Sequence, residues 1–143
     1  MDPELCKDII LDHSQRPRNH GTLVDSTATV EGMHRETGDW VKLSIKHDGD
    51  RLTAIGFEVQ GSAVLMASCS LMTVFAKGKQ TKAVAAGIDQ FLGFLEDTAI
   101  PAENLAVMGD VVALAGIRQF PARVKCAALP WRTLRKALAE RDY

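Results

Sequence analysis

The sequence is poor in the features that mark several classes of protein. It has only three cysteines, Cys6, Cys69 and Cys126. An odd number at such wide spacing argues against a disulfide framework and against a complete zinc site built from CxxC pairs. The longest apolar run falls far short of the roughly 20 residues that a membrane-spanning helix needs. The formal net charge is −1, so no net basic field attracts nucleic acid.

The amino-terminal stretch MDPELCKD is acidic and has no apolar signal core. We therefore expect a cytoplasmic protein whose partners include neither a nucleic acid nor a membrane. The 143 residues, with 46% hydrophobic composition, have the size and content of one globular domain over residues 1–143. No internal repeat or low-complexity segment divides the chain.

Three short strands are predicted in the first half of the chain. Residues 27–33 are the candidate for the first strand. Apolar and polar residues alternate over residues 41–46 and again over residues 55–59, and the turn sequence HDGD lies between these two stretches. The pattern predicts a small antiparallel sheet of three strands.

Helices are predicted on either side of the sheet in the sequence. Residues 3–12 form a short helix, and residues 63–77 form one that is apolar nearly all round and should be deeply buried. Further helices begin at Thr81, near Pro101 and at Pro121, and the last of them runs to about residue 140. The fold class is α+β, with the three-stranded antiparallel sheet packed on one face by four to five helices.

The last predicted helix carries the cysteine of greatest chemical interest. Its core stripe, at about 100° per residue, is Val124, Ala127, Ala128, Trp131, Leu134 and Leu138. Cys126 lies off this stripe, so it either faces a cleft or the surface or is a half-buried small residue. Arg123, Lys125 and the nearby helix start favour thiolate over thiol, so we expect a modestly lowered pKa. Cys6 and Cys69 have apolar neighbours and are interpreted as small core residues.

Three stretches together resemble the iron–sulfur cluster scaffold family of IscU, SufU and the N-terminal domain of NifU. IILDHSQRPRNHGTL is similar to the family's first helix and loop, and TGDWVKLSIKHDGDRLTAIGFEVQGSAVLMASCSLMT to its strand pair and buried helix. GIRQFPARVKCAALPWRTL is similar to its C-terminal helix. The chain resembles the SufU branch most, because it has a long insert before FPARVKCA and no histidine directly before Cys126.

The resemblance implies a site built from three cysteines and an aspartate. Thr37 stands at the first cysteine position, Ser62 stands at the second, and Cys126 retains the third. Asp39 retains the aspartate. The family implies zinc or an iron–sulfur cluster, but hydroxyl groups bind metals weakly beside thiolate, imidazole or carboxylate. Asp39 and Cys126 therefore remain as incomplete, vestigial metal ligands, and we expect no cofactor.

The resemblance implies a role in iron–sulfur cluster assembly. A diverged SufU-type protein would dock on a cysteine desulfurase and accept or relay sulfur through Cys126. The alternatives are a pseudo-scaffold that regulates a desulfurase or scaffold without carrying sulfur, metal or cluster, and a domain recruited to an unrelated task. An independent enzyme activity is not expected, since no constellation of nucleophile, base and orienting group is apparent.

Overall fold

The computed structural model describes the backbone of residues 2–141 and the side chains of residues 2–139. The elements in chain order are α1 (Pro3–Gln15), β1 (Ala28–His34), β2 (Asp39–Asp48), β3 (Arg51–Gln60), α2 (Ala63–Ala76), α3 (Thr81–Glu96), a 3₁₀ segment (Ala102–Gln119) and α4 (Pro121–Arg141). The single domain predicted over residues 1–143 stays a prediction, and residues 1, 142 and 143 lie outside the described part.

The three strands form one antiparallel sheet in the order β1-β2-β3, as the alternating pattern predicted. His34 pairs with Asp39, so a loop of four residues joins β1 to β2 and leaves Asp39 as the first residue of β2. Asp48 pairs with Arg51 across a two-residue turn. Gly49 in that turn has φ of 62°, a backbone conformation that glycine adopts without strain.

Helices pack on one face of the sheet, and α2 lies at the centre of them. Most of α2 is buried, from Leu65 to Ala76, as its almost uniformly apolar sequence predicted. Trp131 of α4 packs on Phe91 with their ring centroids 4.3 Å apart. Its indole N–H donates to Ser68 Oγ of α2 at 3.0 Å, so the buried polar atom has a partner. The predicted α+β architecture is confirmed.

The segment after α3 differs from the predicted α-helix. Residues 102–119 form 3₁₀ turns in two stretches that meet at Gly109, where φ is 67° and ψ is −134°. A residue in that conformation cannot continue a helix, and glycine is the residue that adopts it most readily. The apolar residues Leu105, Met108 and Val112 of this segment are nevertheless buried.

The position of Cys126 on α4 corrects another prediction. The predicted core stripe is buried, apart from half-buried Val124. A second face of the helix, formed by Cys126, Thr133 and Ala137, is buried as well, although Cys126 was expected to face a cleft or the surface or to be half-buried. That face packs on β1, where a Cβ at Gly32 would overlap the Thr133 hydroxyl. The lack of a side chain at Gly32 therefore lets α4 approach the sheet closely.

No helix within residues 2–141 combines the length and the apolar composition needed to cross a membrane.

Candidate functional site

Three parts of the fold meet at the site that the sequence indicated. The loop between β1 and β2 contributes Thr37, and the first residue of β2 contributes Asp39. Ser62 lies at the start of α2, and Cys126 lies in the second turn of α4. These residues are far apart in the sequence, and the packing of α2 and α4 against the end of the sheet brings them together.

Asp39 is the centre of the hydrogen bonds at this site. The Cys126 thiol donates to Asp39 Oδ2 with Sγ and Oδ2 2.8 Å apart. The Thr37 hydroxyl donates to the same oxygen at 2.7 Å, and the Asp39 backbone N–H donates to Thr37 Oγ1 at 3.3 Å. Asp39 is only 3% exposed, so these partners replace most of the water around its carboxylate.

Two glycines give the Asp39 carboxylate its position. Gly38 has φ of 76° and turns the chain into β2. Gly61 has φ of 155°, and a Cβ at this position would overlap Asp39 Oδ1. Both positions therefore disfavour residues with a side chain. Gly38 does so through its positive φ, and Gly61 through its positive φ and its contact with the carboxylate.

The Cys126 thiol is stabilised in its protonated form. Burial raises the pKa of Cys126, and the hydrogen bond to the Asp39 carboxylate and its negative charge raise it further. The Ser62 side chain acts in the opposite direction, with an effect smaller than that of burial or of the Asp39 hydrogen bond. Cys126 is 9% exposed. The lowered pKa that we expected for this thiol is therefore wrong.

The two basic neighbours of Cys126 in the sequence point away from its sulfur. The Arg123 guanidinium lies over the Phe120 ring, with Cζ 4.6 Å from the ring centroid. Lys125 Nζ lies 3.5 Å from Glu36 Oε2, so it pairs with an exposed carboxylate of the β1–β2 loop. Both cations are exposed, and solvent screening weakens their effect on a buried thiol.

The other two cysteines lie in different surroundings. Cys69 is completely buried in α2, as predicted, and burial raises the pKa of its thiol well above its ordinary value. Cys6 was also predicted to be a core residue, but it is half-buried and lines an open cleft beside α1. The prediction failed for Cys6 because α1 is covered by its neighbours on one side only.

His34 and Glu36 also lie at this site, although neither was among the predicted site residues. His34 Nδ1 is 3.2 Å from Thr37 Oγ1, and Glu36 forms the ion pair with Lys125 that ties the β1–β2 loop to α4. The spacing of three residues between His34 and Thr37 fits a tight turn and is the only sequence signal for the first contact. No local signal indicates the second contact, because its partners are far apart along the chain.

The potential metal ligands that the resemblance assigns to the site are one carboxylate, Asp39, and one thiol, Cys126. The His34 imidazole lies nearby, with Nδ1 3.2 Å from Thr37 Oγ1. The hydroxyl groups of Thr37 and Ser62, at the two positions where the resemblance implies cysteines, are engaged within the protein. Thr37 donates to Asp39, and Ser62 Oγ caps α2 by accepting the N–H of Leu65 at 3.3 Å. Among the described residues, no group of three His, Cys, Asp or Glu side chains is placed to hold a metal ion.

Comparison with known proteins gives matches along most of the chain. A family model described as the NifU-like N terminal domain matches residues 5–127. The chain is 37% identical over 139 residues to the zinc-dependent sulfurtransferase SufU of Bacillus subtilis, a match that spans 96% of this chain and 92% of that protein. It is 34% identical over 130 residues to the iron–sulfur cluster assembly scaffold protein IscU of Streptococcus pyogenes, which spans 91% of this chain and 80% of that protein.

The fold also matches solved structures. A NifU-like protein (N-terminal) from Brucella abortus superposes with a TM-score of 0.80 at 18% identity, and the match covers 94% of each chain. At this identity the likeness concerns the fold alone. The predicted resemblance to the IscU, SufU and NifU N-terminal family is thus confirmed by the sequence matches, and the predicted fold by the structural one.

Proposed function

Because the chain belongs to the NifU-like N-terminal domain family, we propose that it serves iron–sulfur cluster assembly as a diverged SufU-type protein. In this role it docks on a cysteine desulfurase and accepts or relays sulfur through Cys126. It acts as an accessory of that enzyme rather than as an independent catalyst.

The contact between Cys126 and Asp39 is the observation that carries this proposal. The fold holds one thiol and one carboxylate 2.8 Å apart at the position of the family site, although the other two cysteine positions carry Thr37 and Ser62. A site that had lost all sulfur chemistry would not need a buried thiol against a buried carboxylate. This pair has the parts for a transfer of one sulfur atom.

The proposed step needs no oxidant or reductant beyond the donor persulfide. The Cys126 thiol gives its proton to Asp39 Oδ2, and its sulfur attacks the outer sulfur of a persulfide on the desulfurase. A new S–S bond forms at Cys126 as the S–S bond of the donor breaks. The donor cysteine leaves as a thiolate and is reprotonated. Docking must first expose Cys126, because the residue is only 9% exposed. The thiol must also lose its proton, because the thiolate is the nucleophile in such exchanges.

We propose further that this protein works without a resident zinc ion. The zinc dependence belongs to the B. subtilis relative by name. A tight tetrahedral zinc site needs about four good ligands. The site supplies Asp39 and Cys126, while the hydroxyls of Thr37 and Ser62 are poor zinc ligands that already have partners within the protein. The residues present therefore do not fit the zinc site of the family.

A second candidate function is a pseudo-scaffold that regulates a desulfurase or a true scaffold. The burial of Cys126 and the raised pKa of its thiol favour this alternative, since a protonated and covered thiol is a poor sulfur acceptor. Such a protein would occupy the partner's docking site without receiving sulfur. The two functions share the docking step and differ in the chemistry at Cys126.

Binding to a purified SufS-like cysteine desulfurase tests the shared step. We expect saturable binding by the wild-type protein and by Cys126→Ser, because docking depends on the surface around the site rather than on the thiol. Competition by an intact SufU should displace both. Absence of saturable binding would reject sulfur transfer and regulation of the desulfurase, and would leave regulation of a true scaffold or recruitment to an unrelated task.

A further inference from the structure

A cleft of about 670 Å³ runs between α1, the 3₁₀ segment and the first turn of α4. Its apolar lining includes Ile10, Val64, Val112, Ile117 and Phe120. Val112 and Ile117 are each less than a tenth exposed, so the apolar floor is recessed below the surface. The volume lies within the roughly 300–1,000 Å³ of typical small-molecule sites.

The charged groups of the cleft are all cationic. Lys7 of α1 and Arg123 of α4 line it, and no Asp or Glu occurs among its described lining residues. Within residues 2–139, neither Lys7 nor the Arg123 guanidinium forms an ion pair. Arg118 also lines the cleft, but its Nη1 already donates to the carbonyl oxygens of Asp97 and Ile100 at 2.9 and 2.8 Å. Two cations therefore remain to receive an anion.

Gly116 leaves space in the wall of the cleft. A Cβ built at this position has no heavy atom within 4 Å, and its backbone is not in the left-handed region. Gly116 does not end the 3₁₀ segment, which continues past it to Gln119. A Cβ at this lining position meets no atom of the protein, so a larger side chain there can be used to test the cleft.

We propose that this cleft binds a small amphipathic anion, an apolar body that carries one carboxylate. The apolar body lies on the recessed floor, and the carboxylate meets Lys7 and Arg123 at the rim. A protein partner fits less well, because stable interfaces cover about 800 Å² on each side. Among the described lining residues, Phe120 is the one large hydrophobic side chain that is exposed. The remaining apolar surface can be reached by a small ligand more readily than by a flat partner.

Cys6 provides a built-in probe for the proposed ligand. Its half-buried thiol lines the cleft, whereas Cys69 and Cys126 are buried. Decanoate should slow the alkylation of Cys6 by iodoacetamide, by about tenfold at ten times its dissociation constant. Decanol, which lacks the charge, should need about tenfold more ligand for the same effect, since hydrogen bonds to charged groups contribute most of this difference. Cys69 should stay unlabelled throughout, which shows that the protein remains folded.

Two variants test the assignment independently. Gly116→Leu places a larger side chain in the wall of the cleft. The double variant Lys7→Gln with Arg123→Gln removes both rim charges at exposed positions. Each should abolish the protection of Cys6 or weaken it by about tenfold or more. Equal protection by decanol, or protection that survives in both variants, would mean nonspecific adsorption and would overturn the proposal. If decanoate gives no protection and Gly116→Leu instead weakens desulfurase binding, the cleft belongs to a protein partner and the proposal is equally overturned.

Discussion

Asp39 is the residue on which the chemistry of the candidate site depends. It accepts hydrogen bonds from Cys126 and Thr37, and its carboxylate lies against Gly61. Its negative charge raises the pKa of Cys126, but it is also the nearest acceptor for the thiol proton. The same residue thus favours the protonated thiol at rest and, in the proposed transfer, is placed to accept the thiol proton.

Replacing Asp39 by Asn should make Cys126 more reactive. A raised pKa means that the thiolate forms only at a higher pH than in an unhindered cysteine, so alkylation of Cys126 should increase at an unusually alkaline pH. Asp39→Asn removes the negative charge, lowers the pKa and moves this increase to lower pH. The measurement is the rate of labelling of Cys126 against pH, by peptide mass spectrometry. Cys6 is the control and should keep its rate, and an unchanged or more alkaline profile for Cys126 would contradict the role of Asp39.

The two hydroxyl residues offer a test of the proposed loss of a metal site. Thr37→Cys together with Ser62→Cys should restore about one zinc per chain, because a tetrahedral site would regain thiolates beside Asp39 and Cys126. Wild-type protein should carry well under one zinc or iron per chain, and adding Cys126→Ser to the double variant should weaken the restored site. Elemental analysis of each folded protein measures this. A well-folded double variant without zinc would show that the backbone of the site has changed as well.

At the scale of the elements, the contact between α4 and β1 positions Cys126. Gly32 of β1 faces Thr133 of α4, and the Thr133 hydroxyl donates to the carbonyl of Leu129 at 2.8 Å. Because Gly32 has no side chain, the second face of α4 packs closely against the sheet, with Cys126 near Asp39 at one end. A disturbance of this packing should affect both stability and the site.

Gly32→Ala should destabilise the protein by about 1–3 kcal/mol, the usual effect of overpacking. The added Cβ would overlap the Thr133 hydroxyl, so α4 has to shift. Urea unfolding measures the effect, and Thr133→Ala should relieve part of it in a double-mutant cycle. The matched control is Gly93→Ala on α3, where the new Cβ meets nothing within 4 Å and a helical alanine should stabilise by about 0.5–1 kcal/mol. Equal effects at both glycines would refute the close approach.

The elements also show which features of the fold could be predicted from the periodicity of apolar residues. Alternation correctly predicted the three strands, and the apolar pattern predicted α2 and the core stripe of α4. It could not predict the second buried face of α4, because small residues at Cys126 and Ala137 fit the sheet only through the tertiary contact at Gly32. It also could not distinguish α from 3₁₀ turns over residues 102–119, because one glycine conformation at Gly109 interrupts an otherwise helical spacing.

At the scale of the whole molecule, sequence reasoning selected candidate site residues that lie together in the fold, but it did not predict their electrostatics. Thr37, Asp39, Ser62 and Cys126 were chosen by resemblance, and the fold brings them together. The pKa direction of Cys126 was wrong, because it was inferred from residues adjacent in the chain. Arg123 and its neighbour Lys125 turn toward other partners, and the decisive groups come from β2 and from burial.

The central claim is that Cys126 accepts sulfur from a desulfurase, and its most direct test is intact-mass spectrometry with peptide mapping after incubation with a cysteine desulfurase and cysteine. The proposal predicts a gain of one sulfur atom, mapped to Cys126, which Cys126→Ser abolishes and Cys6→Ala leaves unchanged. Cys69 should remain unmodified because it is completely buried. If the protein binds the desulfurase but Cys126 gains no sulfur, sulfur transfer is contradicted and the regulatory pseudo-scaffold takes its place.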